Sequence, residues 1–348
     1  MRVCDVNGTL EDLLGASLVG ALTCYLLTGG ADFGAGIWTF FAFGQSGQRQ
    51  RALIDQAIGP IWEANHVWLI VAVTILFTAF PPAFSLIATG LHIPLSLMLV
   101  GIVLRGTAFA VRTHDITARD GSSSVSPLWG YLFAVSSIIT PALLGISVGA
   151  VASGRLPLAS LPSGSFTERF IAPWLAAFPL SVGLLTTTLV AYLAAVYLLV
   201  ESQDPELRAA FRRRAQAACL ALLLTGGYVL VQARQGAPEI YAGLRHTPVG
   251  LLAIVVTFGL HLAALVTLWK VRDRAARIFA VAGAVIMLWG WALSQYPYLV
   301  EPNLTIADAA PAETLRLLLV SLILGSIILF PLLYYLYRIF KGRVLFDA

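Results

Sequence analysis

Two carboxylic acids stand in apolar surroundings where a bilayer tolerates no idle charge. Asp32 lies in Thr28-Gly-Gly-Ala-Asp-Phe-Gly-Ala-Gly-Ile-Trp38, and Glu63 lies in Ile58-Gly-Pro-Ile-Trp-Glu-Ala-Asn-His-Val-Trp-Leu69. An ionisable group at membrane depth is costly unless water, a counter-charge or a travelling proton reaches it, so it marks a functional site by default. The chemistry open to such a pair is proton relay or the binding of a coupling proton. Trp62, Asn65, His66 and Trp68 flank Glu63 and supply hydrogen-bonding and shielding groups. Arg105, seven residues before Arg112, is a cation that either pairs with a carboxylate or reaches for the headgroups. The plainer alternative is that Glu63 complements a helix dipole after Pro60, an effect of about 0.3 to 1 kcal/mol, while Asp32 reaches for the interface.

Metal chemistry is poorly supported. Glu63 and His66 form one Glu-x-x-His pair, half of the di-iron motif of four-helix bundles, and no other Glu is followed three residues later by His. His92 and His261, with His66 nearer the boundary, are the histidines at depths where a haem could be ligated, but their spacing shows no repeated pair. Cys4, Cys24 and Cys219 have no metal-site spacing.

These residues need elements to hold them. The chain has 348 residues, of which 58% are hydrophobic and 11% charged, with a mean hydropathy of +0.84. This describes an all-α polytopic membrane protein, since soluble chains carry about a quarter charged residues. Blocks able to cross a hydrocarbon layer of ~30 Å, at about 20 residues each, fall at 12–40, 58–80, 83–111, 128–152, 171–200, 215–233, 248–269, 276–296 and 314–340. Nine transmembrane helices follow, expected as two four-helix bundles plus one peripheral helix. Residues 1–348 form a single integral membrane domain, with no extramembrane segment large enough to fold by itself. Phe80-Pro81-Pro82-Ala83 reads as a tight turn joining the second and third spans.

Of the 22 basic residues, 16 fall in the loops after the first, third, fifth and seventh spans and in the C-terminal tail, against 6 on the other face. Because Lys and Arg stay on the cytoplasmic side, the N-terminus is expected outside and the C-terminus inside. The net charge of +4 then reflects juxtamembrane cations facing lipid headgroups and calls for no nucleic-acid partner. At ~1.5 Å per residue, Asp32 would lie ~30 Å below the outer surface, near the cytoplasmic boundary where Glu63 opens the next span. Gly30 and Gly34 have the spacing that lets helices approach closely, which favours a protein-facing Asp32.

Three motifs together, Gly30-Ala-Asp-Phe-Gly-Ala-Gly36, Ile58-Gly-Pro-Ile-Trp-Glu-Ala-Asn-His-Val-Trp-Leu-Ile70, and Gln295-Tyr-Pro-Tyr-Leu-Val300 followed by Leu304-Thr-Ile-Ala-Asp-Ala-Ala310, resemble subunit II of the cytochrome bd quinol oxidases. The similarity runs through the chain in order. It implies a heterodimer with subunit I, which carries haem b and haem d, oxidises quinol at the outer face of the bacterial cytoplasmic membrane and reduces dioxygen to water. This chain would be the non-haem subunit, stabilising the complex and contributing a cytoplasmic proton route. The resemblance gives Glu63 and Asp32 the proton-conducting role and sets Trp68 near an oxygen route. Some relatives carry a further acid where this chain has Gly29, so a three-acid relay is not complete here. A bound quinone or lipid and a small third subunit are left open. The competing class is a proton-coupled secondary transporter, for which the paired broken helices of two matching halves are missing.

Overall fold

The computed structural model describes residues 10–59, 62–116, 127–156, 165–302, 304–310 and 312–345. Pro60, Arg119, Cys4 and the side chains of His114, Lys341 and Arg343 fall outside what is described. Among the described residues nine helices are long and apolar enough to cross a membrane: Leu10–Phe40, Trp62–Ala79, His92–Arg112, Leu128–Ala152, Ala177–Glu201, Pro205–Gly236, Pro248–Trp269, Asp273–Gln295 and Thr314–Ile339. They are called the first to ninth spans below.

The fifth span is the axis of the chain. In its most apolar window 72% of residues are buried inside the protein, and it packs against the sixth, fourth, first and eighth spans. The first span meets it through glycines. A Cβ on Gly34 would overlap the Val190 carbonyl, and one on Gly30 would press Val190 Cγ1 at 3.2 Å. On a helix, Asp32 lies about 200° from Gly30 and 160° from Gly34, so seating the glycine face on the fifth span turns Asp32 toward the second.

One connection differs from the sequence expectation, and two others carry structure of their own. Phe80 does not lead into a bare turn: Pro81 opens a separate helix, Pro81–Gly90, and the third span starts afresh at His92 after Leu91. Proline at a first helical position is pre-organised and gives up an amide that would lack a partner anyway, so the Pro81-Pro82 pair starts a helix as readily as a turn. The link after the sixth span holds a further helix, Pro238–His246. The segment before the ninth span pairs Tyr298–Val300 with Leu304–Thr305 as an antiparallel hairpin.

The sixth span is a continuous helix of 32 residues. Its start follows from Asp204, whose side chain accepts from the Glu206 amide ahead of Pro205. At 1.5 Å per residue it is ~48 Å long and outreaches the hydrocarbon by ~18 Å. Arg49, on the amphipathic helix Gln45–Ile58, reaches Asp204 at 2.8 Å and Glu206 at 2.5 Å. Arg208 and Arg212 both reach Asp273, at the start of the eighth span, at 2.8 Å. The ninth span contrasts with the fifth: none of its apolar window is buried inside the chain, and it rests on the first and second spans along one stripe.

Candidate functional site

The second span is not one regular helix. Trp62–Asn65 forms a single turn, the chain steps out at His66, and Val67–Ala79 resumes the helix. This step sets which way each polar residue of the motif faces. Asn65 is buried, His66 half-buried and Glu63 exposed.

Asp32 is 4% exposed. Its Oδ2 accepts a hydrogen bond from Asn65 Nδ2 at 2.8 Å, and Asn65 Oδ1 in turn accepts from the Tyr337 hydroxyl on the ninth span at 3.0 Å. Three spans thus converge on one carboxyl. Arg105 on the third span is 1% exposed and its charge acts on Asp32. Its guanidinium carbon lies 4.9 Å from the Phe33 ring centroid and 5.1 Å from that of Phe133, while Nε donates to Ser137 Oγ at 3.3 Å. Nη2 is buried without a hydrogen-bond partner among the described residues. A buried guanidinium between two ring faces gains cation–π attraction but still depends on a nearby anion to offset its lost hydration.

His66 sits beside Tyr25, Nδ1 to hydroxyl at 3.5 Å, with its ring 6.0 Å from Phe33. The Glu-x-x-His pair therefore divides: His66 turns inward to aromatic rings while the Glu63 side chain faces off the protein and makes no hydrogen bond or ion pair among the described residues. Trp62 packs on Phe109 at 5.8 Å and over Gly106. Trp68 leans on Phe330 of the ninth span at 5.8 Å. At the end of the third span Arg112 binds Asp55 at 3.1 Å; burial pushes the Asp55 carboxyl up, with Arg112 and Arg51 partly offsetting this.

The structure therefore brings Asn65 and Arg105 to Asp32, places His66, Trp62 and Trp68 around them, and turns Glu63 away. Sequence reasoning missed Tyr25, Ser137 and Tyr337. Tyr25 carried a signal, since seven residues is two turns and puts it on the face of Asp32. Tyr337 carried none, being 272 residues from Asn65.

His92 and His261 each lie with Nδ1 against a backbone carbonyl. The His261 ring abuts Gly283, where even a Cβ would lie 2.5 Å from Cε1, and its Nδ1 is 2.8 Å from the Thr257 carbonyl. His92 Nδ1 lies 2.9 Å from the Thr89 carbonyl. Among the described residues no three His, Cys, Asp or Glu side chains gather closely enough to hold a metal ion.

Nine helices among the described residues long and apolar enough to cross a membrane, with a buried acid, amide and arginine on the first three, define an integral membrane protein. Residues 10–340 match the family model for cytochrome bd terminal oxidase subunit II, and the chain belongs to that family. A chain of Bacillus subtilis (strain 168), provisionally named cytochrome bd menaquinol oxidase subunit II, is 23% identical over 95% of both sequences. Cytochrome bd-I ubiquinol oxidase subunit 2 of Escherichia coli (strain K12) is 28% identical over 61% of this chain and 53% of its own. The structure of bd oxidase from Geobacillus thermodenitrificans shares the fold, with a TM-score of 0.79 at 24% identity over 97% of this chain and 99% of that one. The protein is accordingly a subunit of an oxidoreductase complex, which implies a subunit I partner.

Proposed function

We propose that this chain carries protons from the cytoplasm toward the haem-bearing subunit I, in an oxidase that oxidises quinol at the outer face and reduces dioxygen to water. The observation that carries this reading is the buried Asp32 carboxyl, held by Asn65 at 2.8 Å within the field of buried Arg105. Asn65 donates to the carboxyl, the Arg105 charge acts on it, and Arg105 Nη2 is buried without a hydrogen-bond partner among the described residues. Such a carboxyl can take up and release a proton without a large structural change.

Glu63 extends the same route. An acid exposed on a membrane span is costly against lipid, so its place on the surface of this chain favours cover by the partner subunit. Asp32 is then the internal station and Glu63 the one at the subunit boundary. Haem b and haem d belong to subunit I. The chain also stabilises the complex, sits in the bacterial cytoplasmic membrane with its N-terminus outside, and divides into two four-helix bundles with a peripheral ninth helix. Family membership favours this oxidase role over proton-coupled transport.

The test is quinol-driven oxygen uptake by the purified complex carrying Asp32→Asn or Glu63→Gln. Both variants are expected to slow turnover by tenfold or more, on the order of the 10²- to 10⁴-fold contribution of a positioned proton-transfer group, at unchanged haem content. Normal turnover in either variant removes that residue from the route.

A further inference from the structure

The ninth span is joined to the site by a polar contact as well as by packing. Its surface is apolar and largely exposed, with Leu317, Leu324, Ile327, Ile328, Leu332 and Tyr335 each more than half accessible. Tyr337 is half-buried, and its hydroxyl donates to Asn65 Oδ1 at 3.0 Å. We propose that Tyr337 is a positioning residue for Asp32, acting through Asn65 by holding its amide where it donates to the carboxyl.

A side-chain amide has nearly the same shape either way round, but one end accepts and the other donates. Presented Nδ2-first, Asn65 supports the Asp32 carboxylate; presented Oδ1-first, it sets a second oxygen against it. Packing cannot choose between the two, but an ionised Asp32 only accepts and so selects Nδ2, at 2.8 Å. The Oδ1 left at the far end takes the Tyr337 O–H at 3.0 Å, and this second bond pins the amide so that it does not swing away from the carboxyl. The chain of bonds does not itself conduct, because an amide gives up no proton readily. Tyr337 sets a geometry, and Asp32 handles the proton. The ninth span thereby completes the site from outside the packed helices. Its other contact near the motif, Phe330 against Trp68, is an aromatic one with no such polarity.

This inference rests on reading Asp32 as a proton-relaying group. Its test compares Tyr337→Phe, Asn65→Ala and the two combined in the purified oxidase complex, with haem content taken from the absorption spectrum, turnover from quinol-driven oxygen uptake, and the Asp32 carboxyl band, identified by its loss in Asp32→Asn, from infrared difference spectra. Tyr337→Phe and Asn65→Ala are each expected to slow oxygen uptake on the order of tenfold, the size of one hydrogen bond to a charged group. Both should move the Asp32 band at unchanged haem content, and the double variant should be no slower than Asn65→Ala alone. Multiplied effects in the double variant would overturn the proposal, because a residue that only packs the ninth span works independently of Asn65. Haem loss in Tyr337→Phe, or an unmoved band, would overturn it too. Normal turnover in Asp32→Asn brings down the proton reading and this inference together, whereas slow Asp32→Asn beside normal Tyr337→Phe brings down this inference alone.

Discussion

The guanidinium of Arg105 lies 4.9 Å over the ring of Phe33, the residue that follows Asp32. One turn of the first span thus presents an aromatic face and a carboxyl to the same buried cation, and the two acts are coupled: the ring holds the guanidinium while the carboxyl balances it.

Breaking that balance from one side should be worse than removing it whole. Arg105→Met leaves Asp32 without its nearest compensating charge and is expected to cost about 3 to 5 kcal/mol, the usual penalty for stripping one partner from a buried pair. Adding Asp32→Asn should recover much of the loss. Thermal unfolding of the complex in detergent measures both, and a double variant less stable than Arg105→Met would count against the coupling.

The glycine seam offers a matched comparison. Gly34→Ala must push the Val190 carbonyl aside and should cost at the upper end of the 1 to 3 kcal/mol seen for overpacked cores. A Cβ on Gly20 meets nothing within 4 Å, so Gly20→Ala should be neutral or stabilise by up to about 1 kcal/mol. Assembly yield and melting temperature of the two variants check this, and equal behaviour would mean that the first span slides freely on the fifth.

Surface and buried ion pairs should separate in the same way. Arg49 and Glu206 are 51% and 68% exposed, so Arg49→Ala should leave the melting temperature of the complex nearly unchanged. Asp273 is 4% exposed and serves both Arg208 and Arg212. Asp273→Ala leaves two cations facing each other and should lower the melting temperature by several degrees, whereas a fall no larger than that of Arg49→Ala would show the triad to be dispensable.

The hairpin before the ninth span carries a pH dependence. Burial pushes the Glu301 carboxyl up from an ordinary 4.5 to about 7, with Glu239 adding to the rise. A folded-state value above the unfolded one favours the folded state while the group is protonated. The contribution of Glu301 is therefore fully present below pH 4.5, is lost as pH rises toward 7, and is flat above that. Melting temperatures of the complex across pH 4.5 to 8 should fall less steeply in Glu301→Gln than in the unsubstituted protein, and an unchanged slope would show that Glu301 ionises freely in the fold.

The spans were legible because a run of about 20 apolar residues leaves few alternatives, and Asp32 because a carboxyl inside such a run has no cheap explanation. The direction of Glu63 was not legible. Helical periodicity would put it on the face of His66, yet the chain steps out of the helix at His66, and a one-residue break redirects everything before it. The Pro81–Gly90 helix was hidden because Pro-Pro permits a turn and a helix start equally. Tyr337 was invisible for a different reason: its partner is reached only when the last span closes on the first two, and no local pattern encodes a contact spanning 272 positions.

The sixth span, continuous from Pro205 to Gly236 and braced in its first turns by Arg49 and Asp273, is longer than a hydrocarbon layer is thick and so forms a stiff post. A nanobody raised against residues 205–214 would ride on that post with little wobble. It would give a protein otherwise sunk in a featureless detergent belt a rigid landmark for aligning single-particle images of the whole oxidase.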